Sequence, residues 1–149
     1  MTEIRFYHLQ KSSLDQALPQ ILEKALSAGH RVHVRVPLDE DAKRLDAALW
    51  TYRDNSFLPH GMALDKAAKD HPIVISTTPD NVNDATMIVL TQGCVEESLD
   101  AYTLCCEMLN GGVAEQITAA RQRWKIYKDK DYAVTYWAQD EQGRWAKKA

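Results

Sequence analysis

A three-layer α/β domain with a largely parallel central sheet is the fold class this sequence predicts, and three observations carry it. Strand-like runs alternate with helical periodicities along the chain, the order that βα units produce. Pro72-Ile73-Val74-Ile75-Ser76 and Met87-Ile88-Val89-Leu90 are short, nearly continuous apolar runs, as in strands covered on both faces. The 149 residues, 45% hydrophobic, suffice for one domain that buries roughly 70% of its extended surface. No internal repeat or low-complexity linker divides residues 1–149, so a single domain is expected.

The elements follow in order. Ile4 to Leu9 is β-rich, and Ser12 or Ser13 then offers an N-cap for a helix to about Ala28, with Leu14, Leu18, Ile21, Leu22 and Ala25 as its core face. Pro19 lies inside that helix and is a point where it can kink; Gly29 stops it. Val32, Val34 and Val36 alternate with His33 and Arg35, the pattern of a strand with one buried face. Asp39 to Leu49 is a second helix whose acidic start suits its dipole. Leu45 and Leu49 share one face of it, while Trp50 falls off that face and needs a second surface. A loop to Gly61 keeps Phe57 just before the rigid Leu58-Pro59 pair. A polar segment and the two apolar runs come next, joined by the turn-rich T-T-P-D-N-V-N-D-A. Tyr102 to Leu109 reads as either helix or strand. Val113, Ile117, Ala120, Trp124 and Tyr127 keep i, i+4, i+7, i+11, i+14 spacing over a long helix, and Tyr132 to Trp137 alternates before a polar tail with Trp145.

Composition excludes several classes. The start has no basic and apolar leader, and the longest aliphatic run, Met87 to Leu90, is far too short to span a bilayer, so a cytoplasmic protein without membrane contact is expected. Cys94, Cys105 and Cys106 are odd in number, two are adjacent, and none forms C-x-x-C; reduced thiols are expected. The net charge of −3 hides a local +4 over residues 121–130, where Arg121, Arg123, Lys125, Lys128 and Lys130 oppose Asp129 alone. Duplex binding spreads basic charge along a face of groove length. Concentrated charge favours a small acidic partner.

Catalytic chemistry finds no motif. The first strand-to-helix turn, H-L-Q-K-S-S-L-D, has no glycine to admit a phosphate, and G-x-x-x-x-G-K-[ST] is absent, so the α/β domain lacks a P-loop. His8, His30, His33, His60 and His71 show no metal-ligand spacing, and no G-x-S-x-G occurs; no metal or cofactor is expected. Gly111-Gly112 reads as a loop before a helix rather than an anion cradle, and His60 as a residue whose hydrogen bond fixes a loop. The chemistry-bearing constellation is on the last long helix. Arg121, Lys125 and Lys128 at i, i+4 and i+7 put three cations on one stripe beside Trp124, a repulsion that an anion relieves.

L-D-A-A-L-W followed by S-F-L-P-H, the opening E-I-R-F-Y, the strand G-H-R-V-H-V-R-V and the late R-Q-R-W-K-I-Y-K occur together in this chain. In this order and spacing they resemble the chi subunit family of bacterial DNA polymerase III, over nearly the whole length. That resemblance implies a Rossmann-like fold with 102–109 as a strand. It implies a non-catalytic accessory subunit linking the clamp-loader assembly to single-stranded-DNA-binding protein, touching DNA only indirectly. The acidic C-terminal tail of that protein is implied at Arg121, Trp124, Lys125 and Lys128, with Trp50 near the tail region. Phe57, with Leu58 and Pro59, is implied as the contact for the psi subunit or a competing DNA-repair helicase. Trp124 stands where the family carries a tyrosine, which keeps the packing and loses a hydroxyl contact. Two rival readings have their own signatures: a nucleotide-binding α/β protein would bind ATP saturably, and a direct single-strand binder would show steep salt dependence.

Overall fold

In the computed structural model, which describes residues 2–10, 12–51, 60–62, 68–96 and 98–149, each long apolar periodicity of the sequence becomes an element. The order is β1 (Glu3–Leu9), α1 (Leu14–Ser27), β2 (Val32–Arg35), α2 (Asp39–Trp50), β3 (His60–Met62), a 3-10 turn (Ala68–Asp70), β4 (Ile73–Ser76), β5 (Met87–Thr91), β6 (Leu104–Asn110), α3 (Ala114–Asp129), β7 (Ala133–Gln139) and β8 (Trp145–Lys147). Among the described residues the strands form one sheet in the order β3-β4-β2-β5-β6-β1-β7-β8. Every neighbouring pair is parallel except β7 and β8.

Strand alternation sorts the side chains into two cores. Tyr7, Val32, Val34, Ile75, Val89 and Cys106 face α1 and α2, meeting Leu18, Leu22, Leu45 and Leu49. Ile4, Phe6, Ile88, Leu90, Cys105 and Leu109 face the other way, onto Ala120 and Tyr127 of α3. Three layers result, as the sequence predicts. Each enclosed leucine contributes about 2 kcal/mol through removal of its apolar surface from water. Cys105 and Cys106 lie on opposite faces, and burial pushes the Cys106 thiol up to about 12.

Local chemistry sets the ends. Ser13 caps α1 in a reciprocal box: its Oγ accepts from the Gln16 amide (3.3 Å) and its own amide donates to Gln16 Oε1 (3.0 Å). Gly29 at φ +89° turns the chain out of α1, a conformation that costs glycine little. Tyr102 to Leu109 resolves as strand β6, in which Leu104 to Leu109 are all buried because both faces are covered.

Two short strands escape the sequence reading. β3 is an edge of three residues beginning at His60, and the polar tail carries β8, whose Trp145 packs edge-on against Tyr7 at 4.9 Å. The second helical layer is also thinner than alternation implies. Among the described residues no helix joins β4 to β5 or β5 to β6; the connections themselves bury Ala85, Leu99 and Tyr102 against the sheet. Hydrogen bonds pin them: Thr2 Oγ donates to the Leu99 and Tyr102 carbonyls (2.9 and 2.8 Å), and Asn83 Nδ2 to those of Val32 and His71 (3.2 and 3.0 Å). No helix among the described residues is long and apolar enough to cross a membrane.

His33 of β2 is enclosed beneath this loop layer at 1% exposure, with Nδ1 3.1 Å from the Tyr102 hydroxyl. Burial, then the Arg35 charge, holds its pKa down at about 4. The unfolded chain, with His33 near 6.5, therefore binds more protons than the native chain between these values. Stability is full above pH 6.5 and falls as pH drops towards 4, by at most about 3 kcal/mol from this group. Urea midpoints at pH 7 and pH 5 check this: a lower midpoint at pH 5 is expected, and that pH-dependent loss should shrink in His33→Gln.

Candidate functional site

Parallel sheets commonly bind ligands at the carboxyl ends of their strands, and in the turns that follow β1 and β6 the loop amides are already engaged. Gln10 and Ser12 amides donate to Gln139 Oε1 (both 3.1 Å), and the Ser13 amide belongs to the capping box. At the start of α3, the Gly111 amide donates to the Leu9 carbonyl (2.9 Å), the Gly112 amide to Asn110 Oδ1 (2.9 Å), and the Asn110 amide to Gln116 Oε1 (2.9 Å). A Cβ on Gly111 would lie 2.6 Å from both His8 Nε2 and the Leu9 carbonyl, so this glycine serves close packing of the loop. Neither turn presents the row of amides that a phosphate needs.

A cleft opens instead along the flank of α3. The register sets Phe6 of β1 beside Tyr136 of β7, both facing α3. With Leu109, Ile117 and Ala120 they floor a cavity of about 530 Å³ whose rim carries Arg121, Trp124 and Lys125. Trp124 is half-buried, with its ring centroid 5.8 Å from Phe6 and 6.5 Å from Tyr136. Helical spacing puts Arg121 and Lys125 one turn apart on the exposed side of the same rim. Tyr136 donates or accepts at His8 Nδ1 across 2.5 Å, and burial raises its pKa against the opposing pull of the Arg121 charge. Such a site can take a carboxylate on its rim and an apolar group on its floor.

The five cations of residues 121–130 separate in the structure. Lys128 does not line the cleft; its Nζ lies 5.3 Å over the Trp124 ring, in cation–π range, and braces the indole from outside. Arg123 turns under the helix to Glu107 of β6, a carboxylate with 1% exposure, with Nε 2.9 Å and Nη2 2.6 Å from Oε1. Tyr127 donates its hydroxyl to Glu107 Oε2 at 2.7 Å. Burial works against the Arg123 charge and Glu107 more than restores it, so its pKa rises; burial and then the same carboxylate drive that of Tyr127 up. Arg123 thus belongs to a buried clamp holding α3 on the sheet.

Of the residues singled out from the sequence, the structure gathers Arg121, Trp124 and Lys125 around one cavity, with Lys128 adjoining. It does not bring Trp50 to them. Trp50 ends α2, whose buried face packs into the opposite core, and its half-exposed ring sits 4.4 Å from that of His60. His60 ties β3 to α2, with Nε2 3.2 Å from the Asp46 carbonyl and 3.1 Å from its carboxylate, in keeping with a fixing role. Phe57, Leu58 and Pro59 lie outside the described residues. Phe6, Leu109 and Tyr136 were missed as floor residues, because no periodicity in one strand shows which strand will lie beside it. Glu107 did leave a signal, a lone carboxylate inside the apolar run Leu104 to Leu109.

Comparison with known proteins adds independent findings. A family model described as DNA polymerase III chi subunit, HolC, matches residues 1–135. A Pseudomonas aeruginosa protein named DNA polymerase III subunit chi is 23% identical over 137 residues, covering 90% of this chain and 94% of its own. A Rickettsia prowazekii protein named "Probable DNA polymerase III subunit chi" is 26% identical over 90 residues, which are 60% of this chain and 54%, about half, of that relative.

Proposed function

The chain belongs to the DNA polymerase III chi subunit family, whose members are replication accessory subunits, and from that premise we propose that it is a non-catalytic adaptor coupling the clamp-loader assembly to single-stranded-DNA-binding protein. In this reading the acidic C-terminal tail of that protein lies in the α3 cleft, with carboxylates on Arg121 and Lys125 and a terminal apolar side chain against Trp124, Phe6 and Tyr136. One observation carries it: Arg121, Lys125 and Trp124, three of the residues singled out from the sequence, rim a single cavity with an apolar floor. Lys128 acts through the Trp124 ring rather than on the peptide. The protein works in the cytoplasm and reaches DNA through its partner.

The second surface, in the same reading, is the loop of Phe57, Leu58 and Pro59, which takes the psi subunit, another clamp-loader component or a helicase. Trp50 is left out of the tail site in this reading, since it lies on α2 across the sheet from the cleft. Distant sites are usually independent energetically. Phe57→Ala is therefore expected to abolish co-purification of the clamp-loader or helicase partner while tail-peptide affinity stays within a factor of about two. A pull-down paired with peptide anisotropy tests this; loss of both activities in a folded variant would mean one shared surface.

A further inference from the structure

We propose that the cleft between α1 and the β1-β7-β8 end of the sheet docks an acidic amphipathic helix of a partner protein, as a third member of the α1/α2 layer. The cleft lies on the opposite face from the tail site and has a volume of about 410 Å³. Its walls are aromatic. Tyr7, Trp137 and Trp145 line it, with Tyr7 and Trp137 near-parallel at 6.3 Å and Trp145 edge-on to Tyr7.

The sheet leaves room there for a helix. α1 packs beside α2, and among the described residues no helix of that layer lies beyond α1, where β1, β7 and β8 follow one another. Two strand intervals span roughly 10 Å, the diameter of one helix. On the α1 side the cleft is lined by Ala25 and Ala28, whose short side chains admit a close neighbour.

Charge selects the occupant. Lys24 lies on the α1 rim, and Lys147, paired directly with Trp137 in the antiparallel ladder, shares the face of that indole; both are exposed. Arg5 is already neutralised by Glu3 at 2.6 Å. Two separated cations above a floor of alkyl and aromatic groups suit an apolar helical stripe flanked by carboxylates. Single-stranded nucleic acid fits worse, since it wants a continuous track of cations and open ring faces, whereas these rings pack on one another.

Indole N–H signals test the proposal directly, because the four tryptophans divide among three surfaces. The probe is an 18-residue helical peptide with a leucine and phenylalanine stripe flanked by glutamates, titrated into the ¹⁵N-labelled full chain. The expected result is movement of the Trp137 and Trp145 signals with Trp124 unmoved, and at least tenfold weaker binding to the Lys24→Glu, Lys147→Glu double variant, whose changes are both at exposed positions. The proposal is overturned if no indole moves, if only Trp124 moves, if the same peptide with lysines for glutamates binds as well, or if an oligothymidylate shifts Trp137 and Trp145 instead.

Discussion

Glu107→Gln is expected to lower the unfolding free energy by about 3 kcal/mol, because it leaves the Arg123 guanidinium charged, largely enclosed and without its carboxylate. Arg123 keeps 14% of its side-chain surface against 2% for Glu107, so some solvent reaches the orphaned charge and the cost falls at the lower end of the range for broken buried pairs. Tyr127 loses the charged acceptor of its hydroxyl in the same step. For a chain of this size the change moves the thermal midpoint by roughly 6 to 12 °C. Removing the whole network in Glu107→Leu, Arg123→Met, Tyr127→Phe should recover most of the loss, since apolar groups of similar volume replace buried pairs at little cost and no hydroxyl is left without an acceptor. Calorimetry on both variants and the parent checks it. A Glu107→Gln protein within 1 kcal/mol of the parent would mean that apolar contacts alone hold α3.

Arg121→Ala is expected to weaken acidic-tail binding by about 1.5 to 3 kcal/mol, roughly ten- to a hundred-fold, by removing a fork-shaped partner for a carboxylate. Arg121 is exposed and on the cleft rim, so folding should be unchanged and the loss should appear in affinity alone. The remaining affinity should depend less on salt, because one screened charge contact has gone. Fluorescence anisotropy with a labelled tail peptide at two salt concentrations reads both effects. Unchanged affinity in a folded Arg121→Ala protein would move the tail off this helix.

How much of this was legible in the sequence depended on how local the cause was. The cap at Ser13, the stop at Gly29 and the stripe from Val113 to Tyr127 are set by neighbours within a turn or two, and they appear where the spacing puts them. The edge strands β3 and β8 did not show, because three residues are too few for an alternation to register. Arg123 counted with the other cations of its helix until β6 supplied Glu107, sixteen residues back in the chain and directly beneath it. Phe6 and Tyr136 became partners through a register between strands 130 positions apart. Trp50 was separated from Trp124 by topology: Trp50 falls off the apolar face of α2 and Trp124 lies within that of α3, and the two helices cover opposite faces of the sheet. A cleft assembled from β1, β6, β7 and α3 was readable only along its helical side.

The most direct measurement is a titration of the ¹⁵N-labelled protein with two tail peptides, one complete and one lacking its terminal apolar residue, read at the indole N–H signals. With the complete peptide the Trp124 signal should move at saturation while those of Trp50, Trp137 and Trp145 stay in place. Burial of about 100 Å² by the terminal side chain is worth roughly 2.5 kcal/mol, so the truncated peptide should bind some tenfold or more weakly. A Trp124 signal that stays fixed while another indole moves, or a truncated peptide that binds as tightly as the complete one, would contradict the account.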